Sequence, residues 1–192
     1  MIKDQFDTAS CATDKLVAFS RYMDSSAADR FDMLASFEQE SEKNPVSWEN
    51  FLGVIVGNSS PEALDLIARV ERSATFRIEQ ANDQRALYGR FALNRKKSLQ
   101  TEQGRAFLHK TLRTLAPINE YSTVAVLRVF GTLDSMEESD QVPLTGILAG
   151  LLDDLDPEKT PSVYNTIRRL LAGAPEAVRN YEQKHGIIKG IS

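Results

Sequence analysis

Cysteine is almost absent: Cys11 is the single one in 192 residues. A disulfide framework within the chain is excluded, and a reducing, cytoplasmic setting is expected. Histidine is nearly as scarce, with His109 and His185 alone. Neither stands in an H-E-x-x-H motif, since Lys110 and Gly186 follow them. Zinc needs three or four converging ligands, and two distant histidines with one cysteine are too few to supply them. There is no basic surplus. The net charge is −4 and the pI about 5.3, so no nucleic-acid partner is expected. Charges interrupt every apolar run well short of the roughly 18 residues a membrane span needs. The opening residues Met1 to Asp7 lack the apolar core of a signal peptide. No membrane role is expected, and the sequon Asn58-Ser59-Ser60 carries no meaning in that setting. Nucleophile elbows, phosphate loops and dinucleotide fingerprints are also missing. The segment is therefore expected to hold no catalytic residue, metal or cofactor of its own.

What is present is helical periodicity. An apolar fraction of 42% with 26% charged residues suits a globular chain. Phe31, Met33, Leu34 and Phe37 fall at helical spacing, as do Phe51, Leu52, Ile55 and Val56, and then Leu64, Ile67 and Val70. Ser60-Pro61-Glu62, Thr160-Pro161 and Ala174-Pro175 read as helix starts, and Ser26 with Asp29 as a weak capping box. The spacing predicts helices over 14–23, 27–42, 46–56, 61–72, 82–93, 101–115, 120–133, 141–153, 161–172 and 175–184. Short helices with short joints predict an all-α chain of stacked antiparallel helix pairs, a HEAT-like curved superhelix without strict sequence repeats. Residues 1–172 would form the superhelix, and 173–192 a C-terminal helix and tail.

Several local patterns invite a chemical reading and have a plainer one. Gly53 to Gly57 and Gly146 to Gly150 fit G-x-x-x-G, expected here as close backbone packing between helices. Cys11 is expected as a small buried residue. His109 is expected on a helix surface and His185 at a helix C-terminus. The acidic run Asp153 to Glu158 lacks the glycine and ligand order of a calcium loop and reads as a solvated helix end. Arg85, Arg90 and Arg95-Lys96-Lys97 form a basic patch, read as cations near a helix terminus or as a surface for an acidic partner. Arg128 stands apart. It is the only charge between Ser122 and Leu133, among Val124, Val126, Leu127, Val129 and Phe130. A helix apolar on most sides should be buried, and a buried arginine must be paired or face a wet cavity. Both readings stay open at this point.

A family resemblance runs through the chain. Ser10-Cys11-Ala12-Thr13-Asp14-Lys15-Leu16-Val17-Ala18-Phe19 resembles "N-C-M-T-D-x-L-A-A-L" of bacterial-type aminopeptidase N, the zinc-dependent alanyl aminopeptidase family. Glu49-Asn50-Phe51-Leu52 is similar to its "D-K-W-F", and Ala74-Thr75-Phe76 to the "R-S-F" that follows. Asn82-Asp83-Gln84-Arg85-Ala86-Leu87-Tyr88-Gly89-Arg90-Phe91 resembles "N-R-I-R-S-L-I-G-A-F". Val163 to Ala172 resembles "L-Y-E-K-I-T-K-A-L-A". The order holds over residues 6–172. Ala12 replaces a methionine, Ala81 a proline, and "F-H-x-x-D-G-S-G-Y" is reduced to Ser98-Leu99 and Gln103-Gly104-Arg105.

The resemblance implies the later part of the C-terminal helical domain of that family, a non-catalytic segment enclosing the active-site cavity and shaping peptide access. The zinc and the glutamate base would lie in a separate catalytic domain of the same parent chain. Partners would be that domain and a peptide substrate. Arginines from inner helices would line the cavity, and the matching positions resemble Arg85 and Arg128. Both are expected on one concave side. Absent preceding helices would leave side chains such as Phe19 or Phe31 partly exposed. The other reading is a free-standing helical-repeat scaffold that binds a protein or peptide.

Overall fold

The computed structural model describes Asp4, Thr8 and residues 12–57 and 61–191. Cys11, the sequon and the Ser60 cap lie outside the described residues. Every regular element among the described residues is helical. The chain divides into two compact units, Met1–Phe91 and Ala92–Ser192.

The first unit holds α1 (Ala12–Met23), α2 (Arg30–Ser41), α3 (Pro45–Gly57), α4 (Ala63–Glu71) and the short α5 (Ala81–Gln84). A π-helical turn, Arg85–Gly89, continues α5, and α6 (Arg90–Leu93) follows. The centre is α3, packed by α1, α2, α4, α5 and the π turn. Its sequence explains this place: Trp48, Phe51, Leu52, Val54, Ile55 and Val56 are all buried and cover nearly the whole circumference. A helix apolar on all sides is stable only at the middle of a core. Each such side chain stabilises by roughly 1.5–3 kcal/mol. Phe37 lies 4.9 Å from Phe19 and 6.0 Å from Phe51, and Trp48 stacks on Phe51 at 5.2 Å. Phe19 is thus fully buried, while Phe31 stays 38% exposed beneath the Arg30 guanidinium. The expected exposure falls on the second residue and not on the first.

The second unit holds α7 (Arg95–Ser98), α8 (Glu102–Leu115), α9 (Glu120–Leu127), two 3₁₀ turns (Arg128–Phe130 and Leu133–Ser135), α10 (Glu138–Asp154), α11 (Pro161–Ala172) and α12 (Pro175–His185). Helices α8, α10 and α12 contact one another in succession, and α9 and α11 pair beside them. Leu108, Leu112, Leu127, Leu148, Leu151, Val163, Ile167 and Leu171 fill the space between these two layers. Stacked helix pairs joined by short loops are what the sequence predicted.

Four local expectations need correction. The helix predicted over 120–133 stops at Leu127, and two 3₁₀ turns carry Phe130 and Leu133 into the core. The helix predicted from 141 starts one turn earlier. Glu138 and Asp140 suit its positive end, and Pro143 leaves only the Ser139 carbonyl without its helical partner. Asp29 makes no capping bond to α2; it accepts instead from the Tyr22 hydroxyl. The G-x-x-x-G glycines meet side chains and not backbones. Arg90 lies across Gly53, Tyr181 against Gly146 and His109 against Gly150, while Gly57 faces open space.

Candidate functional site

Arg85 opens the π turn. The chain before it is fixed by two buried polar side chains: Asp83 accepts from the Arg77 N–H at 2.8 Å, and Gln84 Nε2 donates to the Ile78 carbonyl at 2.6 Å. The wide turn buries Ala86, Leu87 and Tyr88 in succession and leaves Arg85 outside. Its side chain is 69% exposed, while Leu87 and Phe91 on the other side are buried. Arg85 is not free. Nη2 lies 3.3 Å from Glu49 Oε2 and 3.2 Å from Asn82 Oδ1. Glu49 is a shared anchor, since its carbonyl also accepts from Arg90 Nη1 at 3.3 Å. Glu49 stands in a family-like stretch of the sequence, but no local pattern ties it to Arg85, 36 residues further on.

Arg128 sits where α9 gives way to the first 3₁₀ turn. Its predicted burial does not hold: the residue is exposed and makes no ion pair among the described residues. The sequence read this helix as covered on most sides, but Tyr121, Ala125 and Arg128 recur at helical spacing and form an open face. Tyr121 is 84% exposed. A tyrosine and an alanine count as apolar in a periodicity reading, which is why the face was hidden. The buried ion pair considered for Arg128 is therefore not what the fold builds. Arg85 belongs to the first unit and Arg128 to the second.

His185 falls where the sequence placed it, whereas His109 is less open than a helix-surface position. His109 is half-buried on Gly150, with Nε2 3.6 Å from Asp154 Oδ2, and Arg113 Nε lies 3.6 Å from the same oxygen. His185 ends α12 and stacks on Tyr181 at 4.7 Å. The acidic run is an exposed helix end. Asp156 accepts from the Glu158 N–H at 2.9 Å, and this bond chiefly holds its carboxyl below the usual range. Among the described residues no three His, Cys, Asp or Glu side chains converge to hold a metal. Their placement does not fit a zinc site, and no metal step is assigned to them. Arg95 of the basic patch donates to Thr132 Oγ1 at 2.8 Å. No described helix is long and apolar enough to cross a membrane.

Tyr88, between Phe76 and Glu71, donates to Glu71 Oε1 at 2.8 Å; burial first, and the Glu71 charge second, push its hydroxyl up. Burial also raises the Glu38 carboxyl despite Arg69 at 2.6 Å. Both serve packing in the first unit.

Stacked helix pairs, with no strand among the described residues, define a helical-repeat domain. The family model described as a domain of unknown function (DUF3458_C), ARM repeats, matches residues 1–172, and the chain belongs to that family. Its fold is similar to a crystal structure of Legionella pneumophila aminopeptidase A in complex with aspartic acid. The TM-score is 0.78 at 17% identity, over 89% of this chain and 20% of that one. The chain thus spans about a fifth of that enzyme's length. No curated protein matches it. Family and fold together mark an ARM-repeat helical domain of the type found at the C-terminus of aminopeptidase N-like enzymes.

Proposed function

We propose that this domain forms one wall of the active-site cavity in a zinc aminopeptidase N-like peptidase and shapes the access of peptides to it. The match to the ARM-repeat family over residues 1–172 carries the reading. The zinc belongs to a catalytic domain of the same parent chain and supplies the Lewis acid for hydrolysis of an N-terminal residue. A reducing, cytoplasmic setting fits the single cysteine.

Within this chain the work falls to arginines. A guanidinium binds carboxylates and peptide carbonyls through charge-assisted, often bidentate hydrogen bonds. Arg128 has its donors open to solvent, beside Tyr121 on the same face of α9. Arg85 offers a second set, shared with Glu49. On this reading each can hold a peptide carboxylate or carbonyl.

The test is Arg128→Ala in the parent enzyme. KM for peptides should rise with kcat unchanged, while single-residue chromogenic substrates, too short to reach the arginine, stay unaffected. Equal effects on both substrate types would refute the role of Arg128. Mass spectrometry of the native gene product tests the larger reading. A product much longer than 192 residues is expected; one of this length alone would favour a free-standing scaffold.

A further inference from the structure

The family match ends at residue 172, yet the chain goes on into α12 and a tail that are tied closely to what precedes them. The Asp134 carboxylate accepts from the Glu176 and Ala177 N–H groups at 2.8 and 2.9 Å, so it caps α12 from a distance. Asn180 Nδ2 donates to Gln141 Oε1 at 2.7 Å. Gln141 is itself buried and donates to the Asp134 and Met136 carbonyls, each at 3.0 Å. Lys184 Nζ lies 2.7 Å from Glu138 Oε1. The ring of Tyr181 fills the space that a Cβ on Gly146 would need.

The chain then turns back. Gly186 takes φ 89°, in the left-handed region that glycine adopts without strain. Ile188 is buried, and its N–H donates to Glu182 Oε1 at 3.0 Å. Gly190, with φ 82°, sits against the Tyr164 hydroxyl, and Arg168 Nη2 donates to the Ile191 carbonyl at 3.3 Å. Tyr164 and Arg168 both belong to α11.

We infer that residues 173–191 are a capping half-repeat added to the family's domain to end its stack. The inference is independent of the peptidase reading. Helix α12 takes the next place after α8 and α10 in their layer, and the tail covers α11 where a further second-layer helix would lie. Its inner face, with Ala177, Tyr181 and Lys184, meets α10. Its outer face carries Glu176, Arg179 and Gln183, all exposed and at helical spacing. Another repeat would need an apolar face there, and a polar one stops the stacking. The cap thus replaces solvent over α10 with a helix whose own outer face is polar.

Two variants test this in the whole chain. Removing residues 173–192 should lower Tm by about 5 °C or more, increase binding of an apolar dye, and shift the chain to larger mass in sedimentation. A truncated chain that melts within about 1 °C of the parent at unchanged mass overturns the inference. The second variant avoids any dependence on folding of the truncated chain. Glu176→Leu, Arg179→Leu and Gln183→Leu together touch only exposed positions, so Tm should hold. The apolar stripe should then drive association that the parent chain lacks. A triple variant that sediments at the parent's mass at all concentrations refutes the end-stop role.

Discussion

Replacing Gly104 with alanine should destabilise the second unit, although the same change in an ordinary helix interior stabilises by about 1 kcal/mol. Gly104 lies in the first turn of α8, where α7 ends against it. A Cβ there would stand 1.6 Å from the Lys97 carbonyl oxygen and 2.7 Å from both the Lys97 carbonyl carbon and Thr101 Oγ1. Carbon–oxygen contacts settle at about 3.3–3.6 Å, so these groups must separate further. The obstacle is backbone and cannot swing aside. It is also held: Thr101 Oγ1 donates to that same carbonyl at 2.6 Å and accepts from the Gly104 N–H at 3.0 Å. Relief of the clash therefore disturbs the N-cap of α8 as well. Overpacking costs about 1–3 kcal/mol, and loss of a cap about 0.5–2 kcal/mol. Set against the helix-propensity gain, the net loss is about 2 kcal/mol. In a chain of this size that lowers Tm by about 4–8 °C. The control is Gly57→Ala at the end of α3, where a Cβ meets nothing within 4 Å and stability should hold or rise slightly. Thermal and urea melts followed by circular dichroism measure both. A Gly104→Ala chain as stable as the parent, or indistinguishable from the Gly57→Ala chain, would refute the close approach.

Two further outcomes are expected. Asp134→Ala removes the acceptor of two α12 amides and should cost about 1–2 kcal/mol, with faster hydrogen exchange at Glu176 and Ala177; unchanged exchange there would show that the cap is idle. Glu38 binds its proton more tightly folded than unfolded, because burial outweighs Arg69. Its contribution is thus fully present below its ordinary value of 4.5 and is lost as pH rises through the raised one. Relative to Glu38→Gln, the parent chain should lose stability over that window, and a Tm difference that stays flat with pH would contradict the assignment.

The boundaries and the core were legible where the side chains themselves set the pattern. Residues 161–172 and the run from Phe51 to Val56 match closely, because apolar period and proline starts act within one helix. Features that depend on a partner far along the chain left no local trace. The helices that open at Pro161 and Pro175 have no capping side chain of their own. Glu120 serves the first, accepting from Ser162 and Val163 at 2.7 and 3.0 Å, and Asp134 serves the second. Each lies about forty residues upstream of the amides it caps, so Thr160 and Ala174 looked like the natural caps and are not. The π turn at Arg85–Gly89 was equally silent, since one added residue per turn barely changes the apolar spacing.

The candidate arginines show how far such reading reaches. Arg128 was singled out as a charge at odds with an apolar helix and Arg85 as a position matching the family's cavity arginines, and both do lie at the surface. The inference from isolation to burial failed for Arg128 for a specific reason. Five apolar neighbours bury three sides of a short helix, and Tyr121 with Ala125 supplies a fourth side that hydropathy counts as apolar but packing leaves open. An arginine on such a face carries little desolvation penalty and keeps its donors available. Arg85 differs by one carboxylate. Glu49 holds it in an exposed pair, worth about 1 kcal/mol or less to the fold. A peptide carboxylate arriving at Arg85 would have to replace that contact, whereas Arg128 has no such competitor among the described residues. For this reason Arg128→Ala is the sharper probe of peptide access, and an effect at Arg85 should be the smaller of the two.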